Sequence, residues 1–101
     1  MADESDIALG VMQIAASKPN RICTFDHARE EIPDYVHLTP DNLAPSATRL
    51  GEPMWHQLIR NIQSHHASPG NFIADGYLEH VPEVGYRLTD AGLARLKSKG
   101  L

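Results

Sequence analysis

The side chains best suited to recognition chemistry fall in one short run of the chain. Gln57, Arg60, Asn61 and Ser64 stand three and four residues apart. On a helix, that spacing sets Gln57, Asn61 and Ser64 on one face with Arg60 beside it. Guanidinium and carboxamide groups can each make paired hydrogen bonds to the edge of a base. Arginine suits guanine, and asparagine or glutamine suits adenine, in the major groove of a duplex. Arg49 and Arg87 lie on either side of this run and are candidates for phosphate contacts, which set register while base contacts carry specificity. The same face has a plainer reading, because any helix at a surface needs a polar side. Asn61 can also turn inward and bond to the chain itself.

Other chemistry is weakly marked. There are six histidines, His27, His37, His56, His65, His66 and His80, and one cysteine, Cys23. No pair has the spacing of a familiar zinc site and there is no CxxC, so neither a metal nor a cofactor is expected. His65 and His66, adjacent at a helix end, suit the negative end of the helix dipole. Protonated histidines would add positive charge near the candidate face and strengthen anion binding at lower pH. Cys23 and His27 are four apart but have no visible third partner or oxyanion site. Glu30 and Glu31 read as a solvated face. The residues point to binding, with no catalytic set.

The elements that must hold the candidate face can be read from capping residues and apolar spacing. Ser5 can cap a first helix, with Asp6 in its first turn and Ile7, Val11, Ile14 and Ala15 as its apolar stripe. Pro19 stops it near Ser17. Arg21–Cys23 is a short apolar run that can be a strand. Thr24 can cap a second helix through Phe25, Ala28 and Ile32, ending at Pro33. Thr39-Pro40 opens a single helical turn over 40–44. Residues 46–52 then form an exposed loop with Arg49 facing solvent.

The strongest helical signal covers 53–66, beginning at Pro53, with Trp55, Leu58, Ile59 and Ile62 on one face. Trp55 therefore reads as core rather than as a stacking platform. The break at 67–71 leads to two short runs, 76–81 and 86–89, around Pro82–Gly85. These form a β-hairpin, with Tyr77 and Tyr86 packing across it. Thr89 caps a last helix carrying Leu93 and Leu96, closed by Lys97, Lys99 and Gly100.

At 101 residues, 42% hydrophobic and 22% charged, the chain fits one domain over 1–101, with 1–4 and 98–101 flexible. No apolar run approaches the roughly 20 residues of a membrane span, and the acidic start is unlike a secretory signal. With no cysteine pair for a disulfide, a cytoplasmic location is expected. The net charge of −4 argues against a sequence-blind nucleic-acid binder. The charge is uneven: residues 1–45 hold eight acids and three bases, net −5, and residues 46–101 hold five acids and six bases, net +1. A phosphate-facing surface belongs in the second half.

Helix, helix, polar helix, hairpin, helix is the order of an α+β, mainly helical, winged helix-turn-helix with a small antiparallel wing. The helix before the hairpin would enter the major groove. The run Pro53–Ile62, then Gly76-Tyr77-Leu78-Glu79, then Gly85-Tyr86-Arg87-Leu88-Thr89-Asp90-Ala91-Gly92, resembles the winged-helix domain at the N-terminus of Mrr-type restriction proteins. The likeness covers about 46–97 well and 5–45 only in element order. The Tyr86–Gly92 segment recurs in many winged-helix proteins and marks the fold better than the function. Restriction proteins of this type carry a separate metal-dependent nuclease domain after the winged helix. None follows within these residues, so the resemblance implies a DNA-recognition module without a cutting module.

The leading expectation is binding of double-stranded DNA, in a regulatory or restriction-associated role. Gln57, Arg60, Asn61 and Ser64 would read bases, and Arg49 and Arg87 would hold phosphates. A single acidic module binds weakly, so a homodimer or a fused partner is expected for tight binding. The alternative is a protein-interaction adapter with a dimer interface, which the net negative charge favours.

Overall fold

The computed structural model describes residues 1–101. Helix α1 (Glu4–Ala16) is capped by Asp3, not by Ser5 as its type suggested. The Asp3 carboxylate accepts the Asp6 amide at 3.0 Å, and the Asp6 carboxylate accepts the Asp3 amide at 3.0 Å. This reciprocal box satisfies two amides that a helix start leaves free, and Ser5 offers no such return bond. The start of the chain is bonded to a later segment. Ala2 is buried, its amide donates to Asn42 Oδ1, and its carbonyl accepts from Asn42 Nδ2, both at 3.0 Å. Ile7, Ala8, Val11, Met12, Ile14 and Ala15 of α1 are all buried, because α1 packs against helices and sheet together.

Strand β1 (Ile22–Thr24) leads directly into α2 (Phe25–Tyr35). Thr24 Oγ1 accepts the His27 amide at 3.0 Å, and His27 Nδ1 accepts the Thr24 amide at 3.3 Å. Pro33 does not end this helix. It has no amide to give the Arg29 carbonyl, yet the helix runs on to Tyr35, and the Val36 amide still reaches the Ile32 carbonyl at 2.9 Å. Packing holds the last turn in place. Ile32 Cδ1 and Val36 Cγ2 lie over Gly10 of α1, only 2.8 and 2.9 Å from where a Cβ there would stand. The close crossing outweighs one missing backbone bond.

The single turn α3 (Pro40–Leu43) buries Asn42, which also accepts the Thr39 amide at 3.1 Å. Loop 44–54 is strapped at its base. Pro45 bridges Pro53, the Ser46 amide reaches the Glu52 carbonyl at 2.7 Å, and the Met54 amide reaches the Ala44 carbonyl at 2.8 Å. The strap holds Pro53 in its bridge to Pro45, and α4 begins at Trp55 and ends at Ser64, shorter than the 53–66 expected. Trp55, Ile59 and Ile62 are buried and Leu58 partly so, as their spacing required. Beyond α4, buried Asn71 donates to the Ile62 carbonyl at 2.9 Å and accepts the Ile73 and Ala74 amides.

Strands β2 (Leu78–Val81) and β3 (Gly85–Leu88) form the hairpin, and β1 pairs with the free side of β3. The result is a three-stranded antiparallel sheet in the order β1-β3-β2. Tyr77 precedes β2, so it does not face Tyr86. Tyr86 stands opposite Cys23 and His80, while Tyr77 meets Phe72 edge to face at 5.8 Å. Helix α5 (Asp90–Ser98) is capped by Thr89, whose hydroxyl accepts the Gly92 amide at 2.9 Å and donates to the Gly76 carbonyl at 2.6 Å. The whole is an α+β domain of five helices and one small sheet.

Candidate functional site

The buried stripe of α4 turns its other sides outward. Gln57 and Ser64 are exposed, and Arg60 and Asn61 are partly covered. The carboxamides of Gln57 and Asn61 make no hydrogen bond within the chain. Asn61 does not turn inward, and both amides are free for a ligand. The Ser64 hydroxyl donates back to the Arg60 carbonyl at 3.3 Å. Such back-bonding is common for serine in a helix.

Arg60 is committed elsewhere. Its Nη1 lies 2.8 Å from Glu52 Oε1, at the end of the strapped loop. Glu52 also draws Arg49, whose Nε lies 3.8 Å from Oε2, and His56, whose Nδ1 lies 3.5 Å from Oε1. One carboxylate thus gathers three cation-type side chains. Arg29 of α2 lines the same groove of about 370 Å³, with Phe25 and Ile59 on its apolar side. Arg29 itself is paired with Asp26. His80 lies near this end of the fold, 6.5 Å from the Phe25 ring and 5.8 Å from Tyr86.

The electrostatics follow from these contacts. The hydrogen bond from Arg60 holds the Glu52 carboxyl below its ordinary 4.5, helped by the charges of Arg60, Arg49 and His56 and opposed by burial. Burial holds His56 below its ordinary 6.5. The neighbouring Glu52 pulls the other way but does not prevail. His56 Nδ1 is buried and has no hydrogen-bond partner. Its contribution of positive charge is therefore delayed to more acidic pH than an ordinary histidine would give.

Of the residues singled out from sequence, Arg49 and Arg60 come together, and Gln57, Asn61 and Ser64 share α4 with them. Arg87 stands apart. It alternates with core-facing Tyr86 along β3, pairs in register with Ile22 and Glu79, and its guanidinium lies 3.3 Å from the Glu79 carboxylate. Glu52 and Arg29 were not anticipated, and His56 entered only among the histidines expected to add charge near the face. Glu52, His56 and Arg60 fall at intervals of four, a spacing that could have revealed them.

His65 meets the Glu4 carboxylate of α1 at 2.6 Å, and His66 Nδ1 lies 2.9 Å from the Gln63 carbonyl. Only His66 engages the helix end in the way the dipole suggested. The unpaired cations Arg95 and Lys99 line a different groove, against Asp6 and Leu9 of α1. No three His, Cys, Asp or Glu side chains converge as a metal-holding group. No helix is long and apolar enough to cross a membrane. Comparison with protein-family models, with characterised proteins and with solved structures finds no match for this chain.

Proposed function

We propose that the chain is a winged-helix module that binds double-stranded DNA, with α4 in the major groove and the β2–β3 hairpin as the wing. The order of elements and the pairing of β1 beside β3 support the winged-helix reading, as does the resemblance of residues 46–97 to the N-terminal domain of Mrr-type restriction proteins. The observation that carries the function is the gathering of Arg29, Arg49 and Arg60 along one groove, with Arg60 on the same helix α4 as the carboxamides of Gln57 and Asn61. Gln57, Asn61 and Ser64 would meet base edges. Arg49 and Arg60, joined by Arg29, would meet phosphates. Arg87 sits on the other face of the sheet and is left out of this set.

Fluorescence anisotropy with a labelled duplex at low and moderate salt tests the reading. Native chain should bind in a salt-sensitive way, and Arg60→Ala should weaken binding and flatten its salt dependence. A second reading, a protein-docking module, is favoured by Leu50. This side chain is wholly exposed at the tip of the strapped loop, with Leu43 exposed nearby in sequence. Absence of DNA binding even at low salt, together with a mass that rises with concentration, would select that reading.

A further inference from the structure

We infer that Glu52 occupies, in the free chain, a seat built for a backbone phosphate, and that DNA takes the seat by displacing it. The inference rests on the DNA-binding reading and adds the route by which phosphate enters. A carboxylate and a phosphodiester each present two oxygens sharing one negative charge, so arginines arranged for one suit the other. Here the two oxygens are divided between partners. Oε1 faces Arg60 Nη1 at 2.8 Å, and Oε2 faces Arg49 Nε at 3.8 Å. Arg29 adds a third guanidinium to the groove.

Glu52 is placed to leave. It belongs to the strapped loop and not to a helix, and its backbone is held independently of its side chain. Its carbonyl accepts the Ser46 amide at 2.7 Å, and its amide reaches the Arg49 carbonyl at 3.3 Å. The side chain can rotate outward while this frame stays in place. Burial of His56 keeps that ring from adding a permanent fourth positive charge to the groove. The seat is then strong enough to hold one carboxylate and weak enough to exchange it for phosphate. The built-in competitor lowers affinity for any duplex, leaving base contacts from α4 to decide which sequence is held.

The test compares native chain with Glu52→Gln, Glu79→Gln and the double variant Glu52→Gln/Arg60→Ala, using anisotropy of a fluorescein-labelled mixed-sequence duplex across a salt series. Glu79→Gln removes the same charge from the Arg87 pair, away from the seat. Glu52→Gln should bind on the order of tenfold tighter at low salt, because the competitor is gone, while its log–log salt slope stays near native, because the same phosphates fill the seat in both complexes. Glu79→Gln should stay close to native affinity, and the double variant should lose the gain. Equal effects of Glu52→Gln and Glu79→Gln would reduce the result to bulk charge and overturn the seat. So would a native chain that binds while Glu52→Gln binds no tighter, although DNA binding itself would stand. No binding by either protein would sink both ideas. If Glu52→Gln melts below the assay temperature, Glu52→Asp provides the same comparison. It keeps the charge but withdraws the carboxylate by one methylene, and it should fall between native chain and full release.

Discussion

The hydroxyl of Tyr86 on β3 donates to the carbonyl of Ile59 on α4 at 2.6 Å. It also accepts the Gln63 amide at 3.2 Å. Ile59 and Gln63 are the i, i+4 pair that an α-helix joins directly, so the phenol bridges one rung of the α4 ladder and ties the sheet to the helix bearing the candidate face. Tyr86→Phe should cost about 1–2 kcal/mol in urea unfolding, the usual loss for a buried hydrogen bond. Helix content should survive, because α4 runs unbroken from Trp55 to Ser64 on its own backbone ladder. An unchanged midpoint would show that the bridge contributes nothing to stability.

The same burial predicts an alkaline limit to stability. The Tyr86 phenol is pushed up to about 12, mainly by desolvation. Desolvation, with Glu31 nearby, pushes the Cys23 thiol from 9.0 to about 12. Between its unfolded and folded values each group is ionised in the unfolded chain and still protonated in the folded one. Raising pH through that window therefore favours unfolding, by up to about 1.4 kcal/mol per pH unit for each group. The melting temperature should begin to fall near pH 9, where the thiol of the unfolded chain starts to ionise. Cys23 should resist an aromatic disulfide reagent until the chain unfolds. Rapid modification of native protein at pH 8 would contradict its burial.

Local signals were legible in the sequence and tertiary ones were not. Thr24 and Thr89 act as caps because capping needs only neighbours three residues away. The spacing of Trp55, Ile59 and Ile62 fixed their shared burial for the same reason. Pro33 misled because the packing of Ile32 and Val36 on Gly10 joins segments far apart in sequence. Within the candidate site, the polar face of α4 could be read from its spacing. Its electrostatic partners were only partly legible, since Glu52, His56 and Arg60 recur at intervals of four, but Arg49 reaches Glu52 within the loop held by the Pro45–Pro53 strap and Arg29 arrives from α2. Tyr77 failed as a partner for Tyr86 because a hairpin's register depends on where pairing starts, and it starts at Leu78.

Acid should erode stability in two stages. Burial holds the folded His56 below 6.5, so the unfolded chain takes up its proton first as pH falls. Stability attributable to this residue is present above 6.5 and is lost as pH drops through 6.5 toward the lower folded value. Glu52, held below 4.5 by Arg60, adds a second loss as pH falls below 4.5. His56→Leu should remove the first stage from a melting-temperature profile and keep the second. The C2 proton of His56 in an NMR titration should have its midpoint below 6.5. A midpoint above 6.5 would mean that the attraction of Glu52 outweighs burial.

Gly92 offers a test in which helix propensity and packing oppose each other. It lies in the first turn of α5, where alanine would ordinarily be preferred by about 1 kcal/mol. A Cβ there would stand 2.3 Å from the Tyr77 backbone carbonyl oxygen and 2.6 Å from Leu88 Cδ1. The Leu88 methyl can rotate away. The carbonyl cannot, because Tyr77 is held by its amide bond to Phe72 and its carbonyl bond from the Thr89 amide. Relief requires α5 to move off the hairpin, opening the contact around Leu88 and Leu96. Overpacking of this kind costs about 1–3 kcal/mol and occasionally more, so with backbone as the obstacle the upper end should apply and the helical gain should be overrun. Gly92→Ala should therefore lower the urea midpoint. Gly51→Ala, where nothing lies within 4 Å of the added atom, should lose only what its left-handed backbone demands, about 1–2 kcal/mol. A Gly92→Ala chain as stable as native would mean that α5 is free to shift against the β2–β3 hairpin.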